Sequence, residues 1–257
     1  MDSVKLSERL AAIAAFVPAG SRLADIGSDH ALLPVFLCQS GRIVSAIAGE
    51  LNDGPFQAAR RQVAEAGLGS RIEVRQGDGL AVLQAGEANV VTIAGMGGSL
   101  IASILSEGKF QGKLDGVRRL VLQPNVGEDV VRRWLSEQNW ILVNEAIMEE
   151  DGRIYEIVVA DQAEEADARN VELYKEVQLG PDLRVASSWL MRFGPFLLRE
   201  ASPVFKRKWA GELDKMEMIL GEMGKSDAES ARRKTEAFRQ EIHYIREVLA
   251  CLPKDKP

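Results

Sequence analysis

The sequence predicts an α/β fold on a doubly wound, mostly parallel sheet, followed by an α-helical domain. Over residues 1–160, short β-rich runs alternate with helical patterns, an order that right-handed crossovers turn into a parallel sheet. Several of these runs are almost continuously apolar (Val90-Val91-Thr92-Ile93-Ala94; Leu120-Val121-Leu122), as strands covered on both faces are. After Asp161 the β-branched residues thin out, and apolar residues recur at spacings of three and four.

The candidate strands are 22–26, 43–48, 71–75, 90–94, 119–123, 140–147 and 153–160. Helical patterns near 31–40, 53–67, 98–107 and 127–138 accompany the first five. The last two runs have no helix between them. Glu149-Glu150-Asp151-Gly152 reads as a turn, so they form a β-hairpin that closes one sheet edge. Five βα units and a closing hairpin therefore make a first domain over 1–160.

The second domain spans 161–257. Gly180-Pro181 and Gly194-Pro195 punctuate short helical stretches through about 202. Trp209, Leu213, Met216, Leu220 and Met223 then form one apolar seam, and Ala231, Thr235, Phe238, Ile242, Ile245, Leu249 and Leu252 a second. Seams of this kind bury one helix against another. Gly224 can end the first helix in a left-handed conformation, and Ser226 with Glu229 is a capping-box signature for the second. The expectation is an antiparallel coiled coil over about 204–252.

Composition excludes several classes. With 257 residues, 46% apolar and 27% charged, the chain can bury roughly three-quarters of its unfolded surface and is not disordered. No apolar stretch approaches the ~20 residues of a membrane span, and Met1-Asp2-Ser3-Val4-Lys5 does not open a secretory leader. Cys38 and Cys251 are too few for a disulfide framework or a metal cluster, so no metal is expected and the setting is a reducing cytoplasm. The 32 basic and 38 acidic residues leave a net charge of −6, without the general basic footprint of a nucleic-acid binder. Residues 192–239 carry a mild basic excess, which decides nothing alone.

In open α/β sheets, ligands bind beyond the carboxyl ends of the central strands. The first such loop reads Asp25-Ile26-Gly27-Ser28-Asp29-His30. A dinucleotide site wants GxGxxG so that backbone can approach a pyrophosphate. Here Gly27 stands alone and Asp29 would repel phosphate, so a ligand with an amino group and hydroxyls but no phosphate fits better. S-adenosylmethionine is such a ligand. The alternative is an ordinary turn with Asp29 as helix N-cap. Glu50, followed by Leu51, ends the second strand, where a carboxylate can accept from both ribose hydroxyls; singly it reads as an exposed loop residue. Gln76-Gly77-Asp78-Gly79-Leu80 offers Asp78 to an adenine amino group, or else an Asx turn. Ala94-Gly95-Met96-Gly97-Gly98 lets backbone come close to a flat ligand, with Met96 as an apolar contact. Gln123-Pro124-Asn125 sets amides where they could bond the edge of a base, although Pro124 alone would explain the turn.

Together these residues resemble the bacterial tRNA (adenine-22-N1)-methyltransferase family, TrmK. The stretches that carry the resemblance are Leu6-Ser7-Glu8-Arg9-Leu10, Asp25 to His30 continuing into Leu33-Pro34, Gly49-Glu50, Gly77-Asp78-Gly79-Leu80, Gly95-Met96-Gly97-Gly98, Leu122-Gln123-Pro124 and Tyr155-Glu156-Ile157. They cover roughly 1–160; beyond that the likeness rests on the coiled-coil pattern. The resemblance implies a class I methyltransferase fold, a Rossmann-like sheet of five parallel strands plus a β-hairpin, and S-adenosylmethionine-dependent methylation of adenine N1 in the tRNA D-arm.

Adenine N1 has its own in-plane lone pair and can attack a sulfonium methyl without prior deprotonation. The demands are alignment, desolvation and stabilisation of a cationic product, and N1 must first leave its Watson–Crick pair. Asp29 is the first candidate for the carboxylate that offsets the growing charge, with Asn125 beside the base. The resemblance also points to Arg9, which could contact a phosphate or the base, or be solvated. His30 could pack over the cofactor, cap the helix or transfer a proton. His243 is assigned no chemistry. The expected cofactor set is Asp25, Gly27, Ser28, His30, Glu50, Leu51, Gly77, Asp78, Gly79, Ala94, Gly95, Met96 and Gly97. Lys206-Arg207-Lys208 and Arg232-Arg233-Lys234 could grip tRNA phosphates or be solvated helix faces. The rival readings are a methyltransferase of small molecules or proteins, with the coiled coil used for dimerisation, and a non-catalytic binding protein retaining the fold. The main reading favours a monomer.

Overall fold

A computed structural model describes residues 4–223 and 229–253. The chain divides into two compact units, 1–172 and 173–257, where the sequence expectation placed the boundary at 160. Strand and helix continue past that point: the last strand runs to Gln162, and a helix at Ala166–Leu173 carries Asn170, whose side chain donates to the Trp140 carbonyl at 2.8 Å.

In the first unit the order is α1 (Glu8–Ala15), β1 (Ser21–Ile26), α2 (Leu32–Gln39), β2 (Ile43–Glu50), α3 (Asp53–Glu65), β3 (Ile72–Gln76), β4 (Val90–Gly97), α4 (Gly98–Phe110), β5 (Arg119–Val126), α5 (Glu128–Glu137), β6 (Trp140–Glu150), β7 (Arg153–Gln162) and α6 (Ala166–Leu173). The seven strands lie in the order β3-β2-β1-β4-β5-β7-β6. The first five are parallel and the hairpin pairs antiparallel through β7. This is the Rossmann-like sheet that the sequence predicts. The chain steps outward from β1 to β3 and then returns to the other side of β1, so the switch point that opens a ligand crevice lies between β1 and β4.

The expectation of five βα units needs one correction. The β3–β4 connection holds only a 3₁₀ turn, Gly79–Val82, because Gly77, Gly79 and Gly86 leave no uninterrupted helical pattern there. An open groove of about 550 Å³, lined in part by Ser45, Ile47, Glu73 and Arg75, is left on that side.

Both sheet faces are buried by apolar side chains. Ile13, Val17, Leu33, Leu37, Ala59 and Val63 pack with Leu23, Ala46, Val121 and Val159 on one face. Alternate strand residues Val91, Ile93, Leu120 and Leu122 are buried on the other, where α4 and α5 bring the fully buried Ile101, Leu105, Val131 and Leu135. Between α5 and the hairpin lies a buried ionic group. Arg132 Nε donates to Glu145 at 2.6 Å and Nη2 to Glu156 at 2.5 Å, and all three side chains are 0% exposed.

The second unit contains the short pair β8 (Val177–Gln178) and β9 (Arg184–Val185), then α7 (Ser187–Phe193), α8 (Pro195–Glu200), α9 (Pro203–Met223) and α10 (Glu229–Cys251). Lys206, near the start of α9, donates to the carbonyl of Pro253, just past α10, and Glu217 pairs with Arg246. The two long helices are therefore antiparallel. Their buried positions include Trp209, Leu213, Met216, Thr235, Ile242 and Ile245, on the predicted seams. Val248, rather than Leu249, is the fully buried residue in the last turns. Gly224 and Ser226, assigned above to helix caps, lie outside the described residues.

Candidate active site

The carboxyl ends of β1, β2, β4 and β5 build the site, and much of what the sequence presents as loop is strand. Glu50 is the last residue of β2, Ala94 to Gly97 end β4, and Gln123 to Val126 end β5. The β4–β5 register shifts at Gly95 and again at Asn125, one extra residue on each strand. Such bulges re-aim side chains at strand ends.

The side expected to take the cofactor starts beneath the first loop. Asp25 is buried, with one oxygen accepting from Ser28 Oγ at 2.6 Å and the other from Thr92 Oγ1 at 2.5 Å. Burial pushes its carboxyl above the ordinary range, and the two hydroxyls oppose that rise. Gly27 turns with φ +68°, and Asp29, His30 and Ala31 follow with φ of 43°, 66° and 55°. Three successive non-glycine residues in the left-handed region store strain. The β2 end holds them there. The amides of Gly27 and Ser28 donate to the Gly49 carbonyl at 2.9 and 3.2 Å, and the Asp29 amide donates to Glu50 at 2.5 Å. Glu50 is buried and not an exposed loop residue. Burial, with Asp25 and Asp29 adding negative charge, raises its carboxyl above the usual range.

This geometry removes the helix-cap readings of Asp29 and His30. The helix α2 starts at Leu32, and its N-cap is Ala31, without a side-chain cap bond. The Asp29 side chain is 86% exposed and lies 3.6 Å from His30 Nε2. Asp78 makes no side-chain cap bond either, so the Asx alternative is also unmet and its carboxylate stands exposed at the rim. Gly77 is tied to β2 through its amide, which donates to the Glu50 carbonyl at 2.9 Å. Leu51 is exposed beside Glu50.

The three glycines after Ala94 differ in purpose. Gly95 has φ +77° and sits at the bulge. Gly98 has a packing reason, because a Cβ there would run into the Gly127 carbonyl, where α4 and α5 begin side by side. Gly97 has open space around it, so neither its backbone angle nor packing requires a glycine there. The Met96 methyl occupies the space where a side chain on Gly27 would lie, so the fourth strand end closes over the first loop.

The other side of the rim is organised by Gln123, which is 0% exposed. Its Oε1 accepts from Arg9 Nη1 at 2.6 Å and from the Gly95 amide at 3.1 Å. Its Nε2 donates to the Pro124 carbonyl at 2.9 Å and to Asn125 Oδ1 at 3.1 Å. Asn125 Nδ2 in turn donates to the Gly95 carbonyl at 2.8 Å. Arg9 is thus half-buried at the rim and not solvated. Its backbone amide donates to Glu150 at 3.2 Å, and its guanidinium lies 5.3 Å from the centre of the Tyr155 ring.

Comparison with known proteins gives the family. The sequence pattern of the family described as "TrmK: tRNA (adenine(22)-N(1))-methyltransferase" matches residues 23–247. The chain belongs to the TrmK family. A tRNA (adenine(22)-N(1))-methyltransferase of Bacillus subtilis strain 168 is 43% identical over 250 residues, covering 97% of this chain and 99% of the relative. The crystal structure of the B. subtilis M1A22 tRNA methyltransferase TrmK matches with a TM-score of 0.84 over 96% of this chain and 99% of that one. A Streptococcus pneumoniae protein solved in complex with S-adenosyl-L-methionine is 41% identical, with a TM-score of 0.78 over 95% of this chain and 100% of that one.

For this TrmK-family chain, sequence reasoning missed Thr92, Glu150 and the place of Tyr155. Thr92 was legible as the lone polar residue in an apolar run. Glu150 and Tyr155 lie on the hairpin, and only its height above the sheet brings them to the rim. In the second unit, Lys206 and Lys208 are half-buried, while Arg207, Arg233 and Lys234 are exposed; the Arg232 side chain lies outside the described residues. Because α9 and α10 are antiparallel and Lys206 meets Pro253, the two basic clusters stand near opposite ends of the pair, about 30 Å apart at 1.5 Å per residue along the stretch from Arg233 to Pro253. Among the described residues, no group of three or more His, Cys, Asp or Glu side chains is placed to hold a metal, and no helix is long and apolar enough to cross a membrane.

Proposed function

We propose that this protein methylates N1 of adenine 22 in tRNA, using S-adenosylmethionine. The observation that carries the reading is near end-to-end 43% identity with the B. subtilis tRNA (adenine(22)-N(1))-methyltransferase. The rim fits the cofactor chemically. Glu50 offers a carboxylate for vicinal hydroxyls, Asp78 one for an amino group, and the tight turn at Gly27 lacks the glycine set of a pyrophosphate site. Ser28, His30, Leu51, Gly77, Gly79, Ala94, Gly95, Met96 and Gly97 would line the same cradle, with Asp25 beneath it. When bound, S-adenosylmethionine supplies an electrophilic methyl group.

The chain's own residues then have three tasks. Adenine N1 brings its own lone pair, so no base is required for attack. Asp29 offsets the positive charge that grows on the ring and accepts from the exocyclic amine. Asn125 and Arg9 hold the base side of the rim, and Met96 supplies an apolar contact. A tRNA substrate suits an enzyme that works in the cytoplasm.

Incubation of the protein with labelled S-adenosylmethionine and unmodified tRNA, followed by nucleoside analysis, tests this reading. N1-methyladenosine is the expected product; label in protein or metabolites, or binding without turnover, would overturn it.

The basic clusters of the second unit supply the phosphate contacts in this scheme. Charge reversal at Lys206, Arg207 and Lys208, and separately at Arg233 and Lys234, should weaken tRNA binding and flatten its salt dependence, each lost contact removing about 0.7–0.9 from the logarithmic slope. Salt titrations of the dissociation constant read this directly. Slopes equal to the parent's would remove the coiled coil from the tRNA contact.

A further inference from the structure

We infer that Tyr155 is the surface on which the target adenine stacks once it has left the tRNA; this rests on the methyltransferase reading above. The β5–β7 ladder ends at Leu122 opposite Val158, whereas the β6–β7 ladder continues to Glu150 opposite Arg153. The hairpin therefore overhangs that ladder by five residues, about 17 Å at 3.4 Å per residue. Tyr155 lies three residues above Val158, as Asn125 lies three above Leu122, so the ring stands near the level of the substrate side of the rim.

Alternation along β7 fixes which sheet face it takes. Glu156 joins Arg132 on the α5 face, while Ile157 and Val159 pack with Ile13 of α1 on the other. Tyr155 shares the face of Ile157 and meets Arg9 of α1. Arg9 covers the ring on one side and is itself held by Gln123, which leaves a half-buried aromatic with one face committed.

Adenine N1 is reachable only after the base gives up its pairing and stacking, and an aromatic side chain restores the stacking. The rim segments just after β1 and β2 (27–31 and 51–53) and those at the ends of β4 and β5 (94–98 and 123–127) contain no Phe, Tyr or Trp, and neither does 77–80 after β3. Tyr155 supplies what they lack. Its π-electrons also favour the base more as N1 becomes cationic, so the contact strengthens along the reaction.

The test is a cycle with the full-length protein, Tyr155→Phe and Tyr155→Leu against tRNA carrying either adenine or an abasic site at the target position, with S-adenosylhomocysteine present. Stacking predicts that the ratio of abasic to adenine dissociation constants falls by roughly 10- to 100-fold in Y155L and stays near the parent value in Y155F. Methylation kcat/KM falls similarly in Y155L alone, and cofactor affinity changes less than twofold in both variants. A Y155L protein that keeps the parent's ratio overturns the assignment, as does Y155F losing as much as Y155L. A parent protein that forms no N1-methyladenosine overturns the function itself, whereas an active parent with an unaffected Y155L removes only the stacking role.

Discussion

Replacing Arg132 with Met is expected to cost about 3–5 kcal/mol of folding stability, the range for stranding one partner of a buried ion pair. Its guanidinium is 0% exposed and donates to Glu145 and Glu156, which are equally buried. Without the cation, two carboxylates from adjacent strands face each other away from water, and neither β6 nor β7 can move aside without opening the sheet. Urea unfolding of the variant beside the parent measures the effect, with the slope checked for two-state behaviour. The physical claim concerns the unpaired charge and not the lost volume. Replacing all three residues together with apolar ones of similar size should therefore restore most of the stability. A single variant within 1 kcal/mol of the parent would show that the group carries no such charge balance.

Glu50→Ala is expected to weaken S-adenosylmethionine binding by about 10- to 100-fold, the scale of hydrogen bonds to a charged group. Asp78→Ala should act in the same direction. Asp29→Ala should instead lower turnover more than affinity. The separation follows from position: Glu50 is buried and also holds the Asp29 amide, whereas the Asp29 side chain is exposed. Calorimetric binding constants and single-turnover rates separate the two effects. The raised Glu50 carboxyl adds a pH test. As the proposed ribose acceptor it must be ionised, so affinity should be full above its raised pKa and fall as acid protonates it, at higher pH than an ordinary glutamate would allow. Glu50→Gln should lose that pH dependence. Unchanged affinity in both the Glu50 and the Asp78 variants would remove them from the cofactor site.

The sheet was legible because its signals are local. Apolar runs such as 90–94 and 120–122 identify central strands by themselves, and the two seams after residue 204 identify the antiparallel pair α9 and α10. The rim was legible as residue types and not as bonds. Glu50 is buried because β2 extends two residues beyond its apolar run, and the Asp29 to Ala31 turn departs from ordinary backbone preference because the β2 end holds it. Asn125 was readable as an amide near the base, yet its partnership with Gly95 depends on bulges in two different strands. Arg9, Gln123 and Tyr155 are separated by more than a hundred and forty residues from first to last, so no local pattern announces their meeting.

The placement of β7 between β5 and β6 has a consequence for synthesis of the chain. When β6 has been made, its eventual neighbour does not yet exist, and β5 still shows an unpaired edge with Leu120, Val121 and Leu122. A nascent or truncated polypeptide stopping before Arg153 would carry that sticky margin openly, the kind of edge that recruits other chains. Only arrival of the last strand seals it.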